Sequence, residues 1–157
     1  MGVLIWRHHE ILFDDQDIEV IEPFHWGVMD RRGRQYAVSG TGPRGTSIRL
    51  MHKLIIPGIG FDVDHINMNG LDNRRVNLRV ATRSQNMANS RSRGGSSQYK
   101  GVCWRKDTLK WQASIKINYK QINLGSYADE VQAALAYDRA ARHYFGEFAR
   151  LNFEESS

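Results

Sequence analysis

An Asp-His pair followed by two spaced asparagines is the part of this sequence best suited to chemistry. Asp64 and His65 are adjacent, and Asn77 and Asn86 follow His65 by 12 and 21 residues. Carboxylate and amide oxygens suit a hard divalent cation such as Mg²⁺ or Mn²⁺. A neutral imidazole can take a proton from water, and a cation can stabilise charge on a scissile phosphate. Together these groups meet the needs of phosphodiester hydrolysis.

The same residues also have a plainer interpretation. An Asp-His pair at a strand end is commonly a turn with a solvated histidine. Short polar side chains often satisfy the backbone of a loop, and the stretch after His65 is crowded with them: Asn67, Asn69, Asp72, Asn73 and Asn77. On the residues alone, both interpretations stay open.

If the first interpretation holds, a strand must position the Asp-His pair and a helix must position Asn86. Residues 61–66 predict a short strand, and residues 67–75 predict a long polar loop. Thr82 begins a capping-box pattern, so we expect a helix over residues 83–90 with Asn86 just past its first turn. A strand end that faces this helix can bring Asn86 to the Asp-His pair.

The chain before this strand is less informative. Residues 48–56 form a mixed apolar run that Arg49, His52 and Lys53 interrupt. Residues 1–47 predict short strands with a brief helix near residues 14–22, and their function stays open.

The charge of the chain is unevenly distributed. Its 157 residues carry a net charge of +5, yet residues 1–30 hold seven acidic residues and one basic residue. Residues 83–120 hold nine basic residues and one acidic residue, Asp107. This basic segment indicates a polyanionic partner, most simply nucleic acid. The alternative is a solvated basic surface.

Cysteine content and hydropathy exclude some classes of protein. Cys103 is the one cysteine, so these residues form no internal disulfide and no Cys-rich zinc site. No segment approaches the roughly 20 apolar residues of a membrane span. We therefore expect an intracellular, cytoplasmic protein.

The C-terminal part predicts a small antiparallel sheet after a Ser-, Gly- and Arg-rich linker. Residues 99–105 predict one strand and residues 106–109 a polar turn. Residues 110–118 alternate apolar and polar side chains, which is typical of a half-buried strand. After a tight turn at Asn118 and Tyr119, a third strand over residues 121–124 is expected to end at Gly125.

A helix is predicted to follow this sheet. Asp129 is a suitable N-cap, Gln132 completes a capping-box pattern, and Gly146 is a plausible C-terminal stop. The expected apolar flank consists of Val131, Ala134, Leu135, Tyr137, Ala141 and Tyr144. Three strands with a polar, basic outer face would then pack on one helix.

Two segments around the Asp-His pair resemble the HNH homing-endonuclease family, in the branch whose third motif residue is Asn. They are MHKLI (51–55) and VDHINMNGLDNRRVNLRVATRSQN (63–86). The resemblance implies a ββα-metal fold with one divalent cation, held by Asp64 and Asn86, and makes His65 the general base. It also implies that Asn77 ties the loop together and orients the strand that carries His65.

Neighbouring residues have two interpretations each. His52 is either the family's upstream histidine near the active site or a packed strand residue. Arg74 and Arg75 either clamp phosphate or are solvated loop residues. Asn73 is expected to shape the loop.

Residues 99–153 are similar along their length to the plant APETALA/ethylene-response-factor DNA-binding domain. The similarity is carried by YKGV, KW, LG, AYDRAA and LNF. It implies a sheet in the major groove of double-stranded DNA, with the helix packed behind. By position, the candidate DNA contacts are Lys100, Arg105, Lys110, Ser114, Lys116, Lys120, Gln121 and Asn123.

This domain departs from the plant pattern at Cys103, Ser114 and Asn123, so the plant target sequence is not carried over. Trp104 and Trp111 are expected to pack in the core or a turn. Asp138 and Arg139 are expected to be structural, because the helix is turned away from DNA.

The predicted fold is α+β: a ββα-metal (HNH) nuclease module, then a three-stranded antiparallel sheet packed on one helix. The expected domains are an N-terminal β-rich segment of the nuclease module at 1–47, the nuclease core at 48–90, a flexible basic linker at 91–97 and the DNA-binding domain at 98–153.

The predicted function is that of a metal-dependent DNA endonuclease of homing type, associated with a phage or mobile element. A monomer is expected to nick DNA, whereas a dimer could cut both strands. The alternatives are a non-catalytic DNA-binding regulator with a degenerate nuclease fold and, on charge alone, an RNA-binding protein.

Overall fold

The computed structural model describes residues 1–31, 33–41, 47–58, 60–92 and 94–153. The chain divides into two compact units, Met1–Thr82 and Arg83–Ser157. Each unit has its own buried apolar core. Within the described ranges, no helix has the length and apolar content needed to cross a membrane.

The first unit is a mixed α/β structure of small antiparallel sheets. A hairpin pairs the first two strands, the next three form a sheet in the order β3-β4-β5, and β6 pairs with β7. The elements are β1 (Gly2–Trp6), β2 (His9–Phe13), α1 (Ile18–Ile21), β3 (Gly27–Asp30), β4 (Gln35–Thr41), β5 (Ser47–Leu50), α2 (Met51–Ile55), β6 (Asp62–His65) and β7 (Leu78–Ala81). Single 3₁₀ turns lie at Asp15–Asp17 and Arg75–Asn77.

The core of the first unit gathers one buried face from each of these short elements. Ile11 and Phe13 point inward from alternate positions of β2, as the two-residue period of a strand requires. Met51 and Ile55 meet them from α2. The predicted short strands and brief helix before residue 48 are confirmed.

Residues 48–56 do not form a single element, because β5 ends at Leu50 and α2 begins at Met51. His52 therefore lies on a helix, and its interpretation as a packed strand residue is wrong. Short apolar runs fit both periods, and here Met51, His52 and Ile55 are buried together at helical spacing.

The second unit contains a three-stranded antiparallel sheet in the order β10-β9-β8. The long helix α4 covers one face of it, and its alanines pack against Val102, Ala113 and Ile115. The elements are α3 (Arg83–Ala88), β8 (Val102–Arg105), β9 (Lys110–Ile117), β10 (Lys120–Tyr127) and α4 (Glu130–Phe145). A 3₁₀ turn follows at Gly146–Phe148.

The ends of α4 are those that the sequence predicts. The Asp129 carboxylate accepts a hydrogen bond from the Gln132 backbone N–H at 2.9 Å, and Gly146 follows the helix with φ 51°. The predicted apolar flank is wrong at Val131 and Tyr144, which are 39% and 47% exposed. One row of buried residues recurs every four positions, which keeps one helix face inward; it consists of Ala133, Tyr137, Ala141 and Phe145. Ala134, Ala136 and Asp138 are buried beside this row.

The third strand of the second unit does not end at Gly125. A register shift between Asn123 and Gly125 absorbs one extra residue, and the strand continues to Tyr127. Gly125 has φ 123°, which only glycine adopts readily. The predicted tight turn is present, with Asn118 and Tyr119 at φ 46° and 67°.

The predicted linker contains residues that hydrogen-bond within the second unit. The Ser96 hydroxyl accepts from the Trp104 backbone N–H at 2.8 Å, and the Ser97 hydroxyl accepts from that of Tyr99 at 3.0 Å. Arg93 of this linker lies outside the described residues. The predicted domain boundaries stay predictions.

Candidate functional site

The Asp-His pair lies at the end of β6, and a polar loop returns the chain to β7. Asn77 ties the two ends of this loop together. Its side-chain amide donates to the Asp72 carbonyl at 2.7 Å, and its Oδ1 accepts from the Asn67 backbone N–H at 3.0 Å. Its own carbonyl accepts from the Ile66 N–H at 2.9 Å. These contacts fix the shape of the loop directly after His65.

Several polar side chains of the loop satisfy its backbone. Asn67 Oδ1 accepts from the Asn69 N–H at 2.8 Å, and Asn69 Oδ1 accepts from the Leu71 N–H at 3.1 Å. The Asp72 carboxylate accepts from the side chain of Asn67 at 3.0 Å. For these residues the plainer interpretation is sufficient.

His65 is 6% exposed, so it is not a solvated turn histidine. Burial lowers its pKa, and a contact of 3.4 Å between its Nε2 and Asn73 Oδ1 opposes that shift. A neutral imidazole near neutral pH is what a general base requires. Asn73 is fully buried and donates its backbone N–H to the Leu12 carbonyl at 2.8 Å.

His52 lies against His65, with ring centroids 4.8 Å apart in an edge-to-face arrangement. Burial and the neighbouring His65 lower the pKa of His52 to about 3. The ring of Tyr36 is 6.1 Å from His52 and 6.2 Å from His65. In the described part of the chain, His52 Nδ1 and Asn73 Nδ2 are buried without a hydrogen-bond partner.

Asp64 is 6% exposed and pairs with Arg79, directly across the β6–β7 ladder. Arg79 donates from Nη2 and Nε to the same oxygen, Oδ2, at 2.9 and 3.1 Å. A cation at Asp64 must therefore share the carboxylate with this guanidinium or displace it. The sequence analysis did not identify Arg79, because its role depends on strand register.

Asn86 is half-buried on α3, which belongs to the second unit. Among the described residues, no group of three or more His, Cys, Asp or Glu side chains is placed to hold a metal ion. Asp64 and Asn86 belong to different units, so their joint binding of a cation stays a prediction. Each offers the kind of oxygen donor that Mg²⁺ prefers, so the donor chemistry fits.

The structure gives both predicted phosphate-clamping arginines a partner within the chain. Arg74 donates from Nε and Nη2 to the two oxygens of Asp72, each at 2.7 Å, and this interaction lowers the pKa of Asp72. Arg75 donates from Nη2 to Asp17 at 2.6 Å. These ion pairs favour a structural role for each arginine, and phosphate contact stays a prediction.

The N-terminal segment forms the support of this loop. The Leu12 N–H donates to the Leu71 carbonyl at 2.9 Å, and the Arg75 N–H donates to Asp14 at 2.7 Å. A Cβ on Gly70 would lie 2.3 Å from the Gln35 carbonyl oxygen. The acidic residues of this segment thus bind their own polar loop, a role that the sequence did not reveal.

The outer face of the C-terminal sheet is polar, as alternation along β9 predicts. Lys110 and Lys116 are exposed there, and Gln121 donates to the Ser114 hydroxyl at 3.1 Å. Asn123 is exposed on the same face of β10, whereas Lys120 is exposed opposite Ile117 and lies on the other face. Gln112 also lies on this face, as the same alternation predicts, although it was not among the candidate DNA contacts.

Two further candidate DNA-contact residues, Arg105 and Lys100, also have partners within the chain. Arg105 forms an exposed ion pair with Asp107 at 3.0 Å. Lys100 precedes the sheet, and its ammonium donates to the Met87 and Ala88 carbonyls. The predicted packing role of the two tryptophans is supported: Trp104 and Trp111 are half-buried, with rings 5.0 Å apart.

A strand end that presents a buried Asp-His pair to a polar loop is the kind of site found in nucleases of the HNH class. The HNH endonuclease family model matches residues 55–88. Protein 3.8 of Escherichia phage T7 is 32% identical over 93 residues, which cover 59% of this chain and 76% of that protein. The chain belongs to the HNH endonuclease family.

Other relatives match a longer or a shorter part of this chain. An uncharacterized HNH endonuclease of Acanthamoeba polyphaga mimivirus is 41% identical over 108 residues, 66% of this chain and 55% of that protein. APETALA2-like protein 2 of Oryza sativa subsp. indica is 42% identical over 64 residues, 41% of this chain but 15% of that protein. The chain thus spans about half of the mimivirus relative and a small part of the plant protein.

Proposed function

We propose that this protein is a metal-dependent DNA endonuclease of homing type. The observation that carries the proposal is the buried, neutral His65, held beside Asp64 at a strand end within the segment that matches the HNH family. A solvated turn histidine would need neither this burial nor the surrounding ring and amide contacts.

His65 would take a proton from the water that attacks a DNA phosphate. A general base contributes roughly 10²–10⁴-fold to such a step. Asp64 and Asn86 would hold Mg²⁺ or Mn²⁺, which supplies charge stabilisation at the phosphate and the leaving oxygen when bound. Asn77 would keep the loop in place, while His52 and Asn73 would position the imidazole of His65.

Targeting would come from the outer face of the C-terminal sheet. Its lysines and polar side chains form one continuous surface, and such a surface can contact phosphates and base edges in the major groove. The plant proteins that match this region include AP2-like ethylene-responsive transcription factors, which supports double-stranded DNA as the partner.

A non-catalytic DNA-binding regulator is the second candidate. The ion pair between Asp64 and Arg79 favours it, because a carboxylate already neutralised by a guanidinium has less attraction for a cation. Under this alternative the HNH unit would be a scaffold that no longer binds metal.

Cleavage of a supercoiled plasmid in Mg²⁺ or Mn²⁺ tests the proposal. We expect open-circle or linear product with the wild-type protein, and none with a chelator. His65→Ala should slow cleavage by roughly 10²–10⁴-fold, the contribution of a general base. The matched control is His143→Ala, since His143 is exposed on α4 and should be dispensable.

The product form separates the two modes of cutting, because open circles indicate nicking and linear DNA indicates double-strand breaks. If the wild-type protein binds duplex DNA but leaves both plasmid and candidate native sites intact, the result favours the non-catalytic DNA-binding regulator over the endonuclease. Equal cleavage by wild type and His65→Ala would remove His65 from the mechanism.

A further inference from the structure

The helix that carries Asn86 is too short to be stable alone. It spans six residues, Arg83–Ala88, whereas isolated helices below about 12 residues are marginal in water. Its terminal carbonyls also need partners from outside the helix. The contacts that hold α3 therefore decide whether Asn86 has a defined position.

Within the second unit, those contacts come from the DNA-binding module. Ala88 is 5% exposed and shares an apolar core with residues of β9 and α4: Ile115, Tyr137, Ala141 and Phe145. The Ala88 carbonyl accepts from the Arg150 backbone N–H at 3.2 Å. Near the start of the helix, the Ser84 hydroxyl accepts from the backbone N–H of Asn118, in the β9–β10 turn, at 3.3 Å.

Lys100 closes the C-terminal end of α3. Its ammonium donates to the Met87 carbonyl at 3.5 Å and also to the Ala88 carbonyl. A cation at this end complements the partial negative charge of the unpaired carbonyls. Hydrogen bonds to charged groups contribute more than neutral ones, so Lys100 is a strong candidate for stabilising the helix end.

The position of Lys100 is itself fixed by a buried network. Asn152 Oδ1 accepts from the Lys100 N–H at 2.6 Å, and Asn152 Nδ2 donates to the Lys100 carbonyl at 3.1 Å. The Asp138 carboxylate, 1% exposed, accepts from both the backbone and the side chain of Asn152. The module therefore presents a preorganised ammonium to α3.

We infer that the DNA-binding module holds the metal-ligand helix in place, with Lys100 and Ala88 as positioning residues for Asn86. The inference rests on the proposed function, in which Asn86 is a metal ligand. It makes the module part of the metal site's support as well as a reader of DNA. It also assigns Lys100 to α3 instead of a DNA phosphate.

Full-length variants test this inference without DNA. Lys100→Met keeps the aliphatic stem and removes the ammonium, while Lys100→Arg restores a cation. Lys106→Met is the matched control, because Lys106 is an exposed lysine in the turn between β8 and β9. Mn²⁺ affinity is measured by titration calorimetry. Amide exchange is followed at Asn89 and Ser90, whose N–H groups donate to the Gln85 and Met87 carbonyls.

We expect Lys100→Met to bind Mn²⁺ about tenfold more weakly and to exchange the two amides about tenfold faster, the scale of one charged hydrogen bond. Lys100→Arg should recover most of both losses, and Lys106→Met should change neither. Unchanged exchange at Ile115 in β9 must accompany these results, because it shows that the sheet stays folded.

The inference fails if Lys100→Met leaves exchange and Mn²⁺ affinity within twofold of wild type while Asn86→Ala abolishes binding. A different result would count against the proposed function instead: wild-type protein that does not bind Mn²⁺, or Asn86→Ala that binds as well as wild type. In that case, amide exchange at Asn89 and Ser90 would by itself show whether the module holds α3.

Discussion

At the scale of single residues, the site combines groups that sequence spacing identifies with groups that only three-dimensional contact reveals. The spacing of Asp64, His65, Asn77 and Asn86 was sufficient to suggest hydrolytic chemistry. Arg79 was missed, and Asn73 was expected only to shape the loop, because strand register brings Arg79 opposite Asp64 and loop closure brings Asn73 to His65. Neither contact leaves a periodic signal in the sequence.

The buried histidine pair makes stability depend on pH. The pKa of His52 is lowered from 6.5 to about 3 in the folded protein. Below pH 6.5 the unfolded chain binds a proton that the folded chain excludes, so stability falls as the pH falls. For His52 alone, we expect a loss of about 2 kcal/mol between pH 7 and pH 5.

Urea unfolding at pH 7, 6 and 5 measures this loss. His52→Phe keeps a planar ring without a titrating group and should flatten the pH dependence by about that amount. His25→Phe is the control, since His25 is an exposed histidine of the same unit, and should retain the wild-type slope. Parallel slopes for wild type and His52→Phe would contradict the prediction.

At the scale of elements, alternation and capping predicted the C-terminal sheet and helix well. Each signal there is local: side chains alternate along β9, and Asp129 caps α4. The bulge at Gly125 and the helix at residues 51–55 were not predicted. A bulge depends on the partner strand, and a five-residue apolar run is too short to distinguish helix from strand.

A substitution at Gly101 tests how closely the sheet and the helix of the second unit pack against each other. It has φ 77°, and a Cβ there would lie 2.0 Å from the Tyr137 ring and 2.7 Å from the Ser114 carbonyl oxygen. Strain and overpacking together should make Gly101→Ala destabilising by about 3 kcal/mol. Gly94→Ala is the matched control, with the same φ of 77° and no atom within 4 Å.

Thermal unfolding of the full chain, followed by circular dichroism, distinguishes the two variants. Gly94→Ala reports backbone strain alone, for which about 1 kcal/mol is expected. Similar losses for both variants would mean that the ring of Tyr137 moves aside without cost, and that the close approach does not contribute to packing.

At the scale of the whole molecule, acidic residues of the first unit and basic residues of the second unit have different roles. Acidic residues of the first unit, such as Asp14 and Asp17, hold the polar loop through Arg75. Two exposed lysines of the second unit, Lys110 and Lys116, lie on one sheet face, without ion partners among the described residues. The sequence showed this asymmetry but not its cause, because ion pairs distant in the chain cannot be inferred from composition.

The outer sheet face should therefore dominate the salt dependence of DNA binding. Each lost phosphate contact lowers the slope of log affinity against log salt by about 0.9. Replacing Lys110 and Lys116 by Gln should reduce the slope by up to about 1.8 if each binds one phosphate. Fluorescence anisotropy with labelled duplex at several salt concentrations measures both slopes.

Arg139→Gln provides the matched control, because Arg139 is exposed on α4, which packs on the opposite face of the same sheet. Removing this charge should leave the slope unchanged. An equal reduction per charge in the control and the double variant would show that binding responds to net charge rather than to one face. A flat slope in the wild type would exclude phosphate contact as the main source of affinity.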